Sequence, residues 1–167
     1  DPLWSRGLGD VYKRQAMYKA TYKGRYKVLN PLKYHGDPTN VIYRSSWELK
    51  FMKWCDQNSS VIEWGSETVV IPYKSPIDLK IHRYFVDFFI MVKQSDGTVI
   101  RYLIEIKPER FTKPPPIPQR KTKQFINEVF QYGVNEAKWK SANEFCSDRG
   151  FKFLILTEKD LGVSHTK

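Results

Sequence analysis

Cysteine is scarce in this sequence, and long apolar segments are missing. The 167 residues include two cysteines, Cys55 and Cys146, and neither has a Cys or His nearby at metal-ligand spacing. This pattern disfavours a structural zinc site, and we expect both thiols to be packed in a protein of a reducing compartment. No apolar stretch approaches membrane-spanning length and no signal-peptide pattern occurs, so we expect a soluble, cytoplasmic protein with no membrane partner.

Acidic residues are in the minority. The chain has 28 Lys and Arg residues against 18 Asp and Glu residues, a formal net charge of +10. Such a balance favours a polyanionic partner, and nucleic acid is the leading candidate; lysines that serve only solubility are the alternative. Hydrophobic residues make up 41% of the chain and aromatic residues 15%, which indicates one folded domain with a real core.

The N-terminal part divides into two segments. Residues 1–16 lack periodicity and precede Met17, so we interpret them as a non-native leader. Residues 17–34 form a basic aromatic arm, with five basic residues, four tyrosines and no acid between positions 18 and 34. Interleaved cations and aromatic rings suit a phosphate backbone and stacked bases, whereas a flexible arm whose tyrosines pack on the domain is the alternative. The DNA-contact candidates in the arm are Lys23, Arg25 and Lys27.

The remaining pattern predicts a single domain over residues 35–162, followed by a tail at 163–167. A helix begins near Ser45, where Ser45-Ser46-Trp47-Glu48 fits a capping box. The other predicted elements are short strands at 61–64 and 68–73, a hairpin of strands 82–93 and 98–106, helical structure over 120–148 with a weak point or break at Gly133, and a final buried strand at 151–156. This order predicts an α/β domain, bordering on α+β, with a mixed central sheet flanked by helices.

Basic residues cluster in and after a proline-rich segment. Prolines at 108, 114–116 and 118 exclude a central strand or a helix interior, so we predict an extended loop. Further candidates for DNA contacts are Arg120, Lys121, Lys123 and Lys138. Lys138 lies within about two helical turns of Gln131 and Asn135, and these two also suit a DNA backbone contact; a packed or solvated helix face is the alternative.

The Glu-x-Lys triplet occurs three times, at Glu48, Glu105 and Glu136. Only Glu105 and Lys107 lie on a predicted strand, where residues two apart share a face. Asp87 lies on the preceding predicted strand among apolar neighbours, where a carboxylate is costly unless it is paired or binds a cation. An ion pair with Lys107 or Arg83 is the alternative. Two carboxylates and a lysine on one hairpin suit metal-assisted phosphodiester hydrolysis.

Two other residues have competing interpretations. Glu48 is explained fully by its place in the helix cap, although a carboxylate one turn into the helix can also face the hairpin and complete a metal site. His82 is a weaker candidate for a general base, because a lone histidine before a strand more often has a structural role or contacts a phosphate.

These motifs carry a family resemblance. Glu48 in Ser45-Ser46-Trp47-Glu48, Asp87 in Arg83-Tyr84-Phe85-Val86-Asp87-Phe88, and Glu105-Ile106-Lys107-Pro108 together resemble the PD-(D/E)xK nuclease superfamily. More narrowly, residues 17–162 resemble the head-completion nucleases of T-even-type tailed phages, and they are similar to the nuclease domain of TnsA-like transposase subunits. Val86 stands where the motif's name has proline, a residue that does no chemistry there.

The resemblance implies a restriction-endonuclease-like core and a site for Mg²⁺, with Mn²⁺ as a substitute. Asp87, Glu105 and the Ile106 carbonyl would ligate the metal, Glu48 would complete the site, and Lys107 would position the attacking water. It also implies a deoxyribonuclease of the host cytoplasm or virion that processes packaged DNA before head–tail joining, with phage head, portal or neck proteins as partners.

Two rival functions remain open at this point. TnsA-like subunits that cut transposon ends usually continue into a C-terminal helical domain, whereas this chain ends shortly after its last predicted strand, which favours the phage-type function. A non-catalytic DNA-binding head protein is the second rival.

Overall fold

The structure is a computed structural model that describes residues 23–162. The predicted leader (1–16), the first part of the predicted arm (17–22) and the predicted tail (163–167) lie outside the described residues. Residues 23–162 contain eight strands and three α-helices. The strands are β1 (Gly24–Tyr26), β2 (Val41–Tyr43), β3 (Val61–Ser66), β4 (Val70–Lys74), β5 (Ile81–Phe85), β6 (Phe88–Lys93), β7 (Val99–Ile106) and β8 (Lys152–Leu156), and the helices are α1 (Ser46–Gln57), α2 (Lys123–Arg149) and α3 (Glu158–Leu161).

The central sheet has four strands in the order β3-β6-β7-β8. The pairs β3–β6 and β6–β7 are antiparallel, whereas β7 and β8 run parallel and are joined by the long helix α2. Two-stranded ribbons, β1-β2 and β4-β5, complete the fold. The predicted α/β domain with a mixed central sheet flanked by helices is therefore confirmed.

Helix α1 begins where the sequence predicts it. The Ser45 hydroxyl accepts a hydrogen bond from the Glu48 backbone N–H at 3.1 Å, which satisfies one of the open donors of the first turn. The Glu48 carboxylate turns back to the N–H of Arg44 at 2.8 Å, one residue before the cap. In the predicted capping box, the Glu48 side chain would accept from the N–H of the cap residue Ser45. It accepts from the N–H of Arg44 instead.

Helix α2 runs without interruption from Lys123 to Arg149, so the break predicted at Gly133 is wrong. Glycine costs about 1 kcal/mol relative to alanine in a helix but keeps its N–H donor, and helix packing offsets a cost of that size. Gly133 lies beside the β4-β5 ribbon, where an added Cβ would be 3.8 Å from Pro76. The helix ends at Gly150, which adopts a left-handed φ of 67° that glycine accepts without strain.

The predicted continuous strand 82–93 is also wrong, because the chain changes partners at Val86 and Asp87. Strand β5 pairs with β4, whereas β6 pairs with β3 and β7. At the bend between them, the Val86 N–H donates to the Val69 carbonyl, and the Asp87 carbonyl accepts from the Glu67 N–H. One apolar run therefore serves two sheets, and the bend places Asp87 at their junction.

Apolar side chains form a core on each face of the central sheet. Phe88, Ile90 and Ile104 pack with the buried face of α1, and Phe89 and Leu103 pack with α2 and the β4-β5 ribbon. This alternation follows from the period of two along each strand.

Strand β8 lies at the edge of the sheet and is not buried as predicted. Leu154 is 41% exposed, because an edge strand has a neighbour on one side only. Among the described residues, none of the helices has the length and apolar character that crossing a membrane requires.

The described part of the predicted arm is fixed to the C-terminal end of α1. The Asp56 carboxylate accepts hydrogen bonds from the Tyr26 hydroxyl and from the N–H groups of Leu29 and Asn30, at 2.7 to 3.0 Å. The Lys33 ammonium donates to the carbonyls of Cys55, Asp56 and Asn58. These carbonyls are left open at a helix end and attract a cation, so residues 26–33 serve as a cap for α1.

Candidate active site

Asp87 is held against the end of β7. Its Oδ2 atom accepts a hydrogen bond from the backbone N–H of Ile106 at 2.9 Å, and the side chain is buried, with 4% of its surface exposed. This contact places the Asp87 carboxylate next to the peptide unit between Glu105 and Ile106. The hairpin brings Asp87 to the Glu-x-Lys triplet, as the sequence predicts.

Glu105 and Lys107 share a face at the end of β7. The Lys107 ammonium lies 3.6 Å from Glu105 Oε1, and both side chains are buried. The Lys107 backbone N–H donates to the Leu156 carbonyl of β8, which continues the parallel pairing one residue beyond β7. The backbone of the triplet is therefore held by β8 on one side and by the Asp87 carboxylate on the other.

Tyr84 supports the other oxygen of Glu105. Its hydroxyl donates to Glu105 Oε2 at 2.6 Å, and the Lys138 ammonium lies 5.5 Å from the centre of its ring. Burial, together with the charges of Glu105 and Asp87, raises the pKa of Tyr84 well above its usual value. The hydroxyl therefore stays protonated and remains a donor at neutral pH.

Glu48 is buried at the start of α1, and its Oε2 atom accepts the Arg44 N–H. This contact agrees with the capping interpretation of Glu48. A role at a metal site stays a prediction.

The charges at the end of β7 fit a divalent cation. Two buried carboxylates, Asp87 and Glu105, lie close enough to Tyr84 for both to raise its pKa, and the Lys107 ammonium lies beside Glu105. A buried carboxylate is costly without positive charge nearby, and carboxylate and carbonyl oxygens are the donors that Mg²⁺ prefers. Asp87, Glu105 and the Ile106 carbonyl are thus a suitable donor set.

Over residues 23–162, no three His, Cys, Asp or Glu side chains converge closely enough to hold a metal ion by themselves. Glu48, Asp87 and Glu105 are therefore not such a three-carboxylate group. A cation at the end of β7 would take its remaining ligands from the backbone and from water.

The predicted DNA-contact residues lie on the surface, with one exception. Exposed positions are Lys23, Arg25, Lys27, Arg120, Lys121 and Lys123. Lys138 is half-buried, because its ammonium lies over the rings of Tyr73 and Tyr84. Asn135 is buried and accepts a hydrogen bond from Gln131, so for Asn135 the packed interpretation is confirmed.

The remaining candidates have structural contacts. His82 is buried, and its Nε2 atom lies 2.7 Å from Asp78 Oδ2. Cys55 and Cys146 are both buried, and burial raises the pKa of each thiol. The expectation of two packed thiols is confirmed.

Sequence reasoning missed Tyr84 as a partner of the site. The alternation along a continuous strand would have put Tyr84 and Asp87 on opposite faces. The bend after β5 brings both to the end of β7. The apolar run itself contains no glycine or proline to signal that bend.

Two comparisons with known proteins bear on this arrangement. Residues 58–158, which include Asp87, Glu105 and Lys107, match the family described as TnsA-like endonuclease N terminal. The chain is also 45% identical over 144 residues to the head completion nuclease of Enterobacteria phage T4, and the match covers 84% of this chain and 93% of that protein. These are the two groups that the motifs resemble, and the mixed sheet agrees with the implied restriction-endonuclease-like core. The chain therefore belongs to the family of TnsA-like endonuclease N-terminal domains.

Proposed function

We propose that this chain is a divalent-cation-dependent deoxyribonuclease that acts in phage head completion. One observation carries the proposal: Asp87, Glu105 and Lys107 converge at the end of β7. The relative from phage T4, named for head completion, supports the biological role. In that role the protein would process packaged DNA before a head and a tail join.

The donor set at the end of β7 has the chemistry for Mg²⁺ or Mn²⁺. Asp87, Glu105 and the Ile106 carbonyl would hold the ion, and Glu48 would complete the site by holding a metal-bound water. When bound, a divalent cation supplies Lewis-acid polarisation of the scissile phosphate and lowers the pKa of water. The protein's own contribution is to keep two carboxylates in place through the Ile106 N–H and the Tyr84 hydroxyl.

Lys107 would act on the attacking water. Its ammonium lies beside Glu105 in a buried environment, where a compact cation interacts strongly with negative charge. It would orient the attacking water and stabilise the charge that develops on the phosphate during in-line attack. Arginine fills this role poorly, because its planar fork cannot take the same compact position.

A plasmid cleavage assay tests the proposal. Wild-type protein and Lys107→Ala are incubated with supercoiled plasmid and Mg²⁺ or Mn²⁺ over a range of salt concentrations. We expect nicked or linear products from the wild type and a loss of at least about a hundredfold for the variant. A matched control is Lys113→Ala, which removes an exposed lysine. The absence of cleavage by the wild type under all conditions would contradict the nuclease proposal.

A second candidate function is cleavage of transposon ends, which the family match favours because the matched family is that of TnsA-like endonucleases. The same site would serve both functions, so only the biological substrate differs. Genes beside the source locus discriminate between them. Head and tail genes support head completion, and a transposase gene supports the transposon function.

A further inference from the structure

Arg44 and Glu67 form an ion pair between two segments that reach the site. Arg44 lies between β2 and α1, and Glu67 follows β3. The Arg44 Nε and Nη2 atoms donate to the two carboxylate oxygens of Glu67 at 3.3 Å each. This two-point contact fixes the orientation of both side chains, because the planar guanidinium matches the carboxylate.

The backbone of each partner contacts a site residue. The Arg44 N–H donates to Glu48 Oε2 at 2.8 Å, and the Glu67 N–H donates to the Asp87 carbonyl at 3.0 Å. The side-chain pair therefore joins the start of α1 to the bend that carries Asp87. Glu48 and Asp87 are 39 residues apart in the sequence, and Arg44 and Glu67 connect them through three steps of direct hydrogen bonding.

Glu67 occupies a backbone conformation that disfavours side chains. Its φ is 55°, in the left-handed region where glycine is less strained than any residue with a Cβ. The ion pair offsets little of the free-energy cost of this strain. The side chains of Arg44 and Glu67 are 23% and 32% exposed, and exposed ion pairs contribute little to stability. Strained residues of this kind cluster at functional sites.

We propose that Arg44 and Glu67 are positioning residues, which set the Asp87 bend and the Glu48 carboxylate relative to each other. The inference rests on the proposed nuclease function, since it assigns these two residues to the same site. Removing contacts that orient ligating groups typically lowers metal affinity or activity by roughly 10- to 100-fold.

Two substitutions remove the side-chain contact and keep both backbone contacts. Glu67→Gly deletes the carboxylate, retains the N–H that donates to Asp87, and relieves the strain at φ 55°. Arg44→Ala deletes the guanidinium and retains the N–H that donates to Glu48. Arg44→Lys keeps the charge without the two-point contact, and it serves if Arg44→Ala folds poorly. Leu79→Gly is the matched control, because Leu79 has a φ of 59° in the β4–β5 turn.

Three measurements test the inference: plasmid cleavage, Mn²⁺ affinity by titration calorimetry, and the thermal midpoint of unfolding. We expect Glu67→Gly and Arg44→Ala each to lower kcat and Mn²⁺ affinity roughly tenfold, with KM for DNA and the thermal midpoint close to wild type. The double variant should be no worse than the worse single variant, because residues that act as a pair are not additive. Leu79→Gly should leave all three quantities unchanged.

Two outcomes would overturn the inference. The first is wild-type kcat and Mn²⁺ affinity in Glu67→Gly. The second is a result that a purely structural role predicts. In that case the losses of kcat and Mn²⁺ affinity in the two single variants add up in the double variant, or they parallel a fall in the thermal midpoint. If the wild-type protein cleaves no DNA, the nuclease proposal fails, but Mn²⁺ affinity and its non-additivity still decide whether Arg44 and Glu67 position the carboxylates.

Discussion

The Asp87 carboxylate accepts a hydrogen bond from the backbone N–H of Ile106 at 2.9 Å. This bond joins the bend after β5 to the last residue of β7, between Glu105 and Lys107 in the chain. A backbone donor has little conformational freedom within a sheet, so the bond positions Asp87 more strictly than a flexible side chain would.

Tyr84 provides a test of how Glu105 is held. Tyr84→Phe removes the hydroxyl that donates to Glu105 Oε2 and keeps the ring in the core. We expect the Mg²⁺ concentration for half-maximal plasmid cleavage to rise roughly tenfold, because hydrogen bonds to ligating carboxylates tune metal affinity. Tyr73→Phe is the control, since its ring also lies beneath Lys138. An unchanged Mg²⁺ dependence in Tyr84→Phe would show that Glu105 needs no such support.

Asp56 provides a test of stability apart from catalysis. Asp56→Ala removes the acceptor of three hydrogen bonds from residues 26–30, and it leaves a buried tyrosine hydroxyl without its partner. We expect a loss of about 3 kcal/mol in the free energy of unfolding, measured by urea denaturation. Asp148→Ala, at an exposed position, should change it by less than about 0.5 kcal/mol. Equal effects of the two substitutions would contradict the anchoring role of Asp56.

The exposed basic residues of β1 and its flanks provide a test of DNA binding. Replacing Lys23, Arg25 and Lys27 with glutamine should weaken binding and make the negative slope of log affinity against log salt shallower by about 2 to 3, because each phosphate contact contributes about 0.9 to its magnitude. The matched control replaces three exposed residues at the end of the sheet away from Glu105, namely Lys93, Arg101 and Lys152. A salt slope that changes equally in both variants, or in neither, would mean that β1 does not contact DNA.

The two thiols should be unreactive in the folded protein. Burial raises the pKa of Cys146 to about 11, and it raises the pKa of Cys55 further, so neither forms much thiolate near pH 8. We expect a disulfide reagent to label neither cysteine under native conditions and both in denaturant. Because the folded pKa of Cys146 exceeds the unfolded value, its contribution to stability is lost as the pH rises from 9.0 to about 11. Rapid labelling of the native protein would contradict the burial.

Local sequence features predicted most secondary structure correctly. The start of α1 was predictable because Ser45 caps the helix through a contact three residues away. The turn at residues 95–97 was predictable because Asp96 bonds to Thr98 and Gly97 adopts a positive φ of 87°. In each case the contacts lie within a few residues, so the residues themselves carry the information.

The predictions failed where contacts between residues distant in the sequence decide the structure. Gly133 remains inside α2 because packing against the β4-β5 ribbon offsets its low helix propensity. The strand predicted over residues 82–93 bends at Val86 because its two halves pair with different strands. Period-two alternation cannot signal such a change of partner.

The sequence by itself determined the fold class, the family, and the shared face of Glu105 and Lys107, because strand alternation is a property of the local backbone. Only the tertiary structure decided that Asp87 bonds to Ile106, that Tyr84 donates to Glu105, and that Arg44 reaches Glu67. Those contacts join residues 19 to 23 positions apart. They depend on the point at which the chain passes from the β4-β5 ribbon into the central sheet, and the packing of the whole domain sets that path.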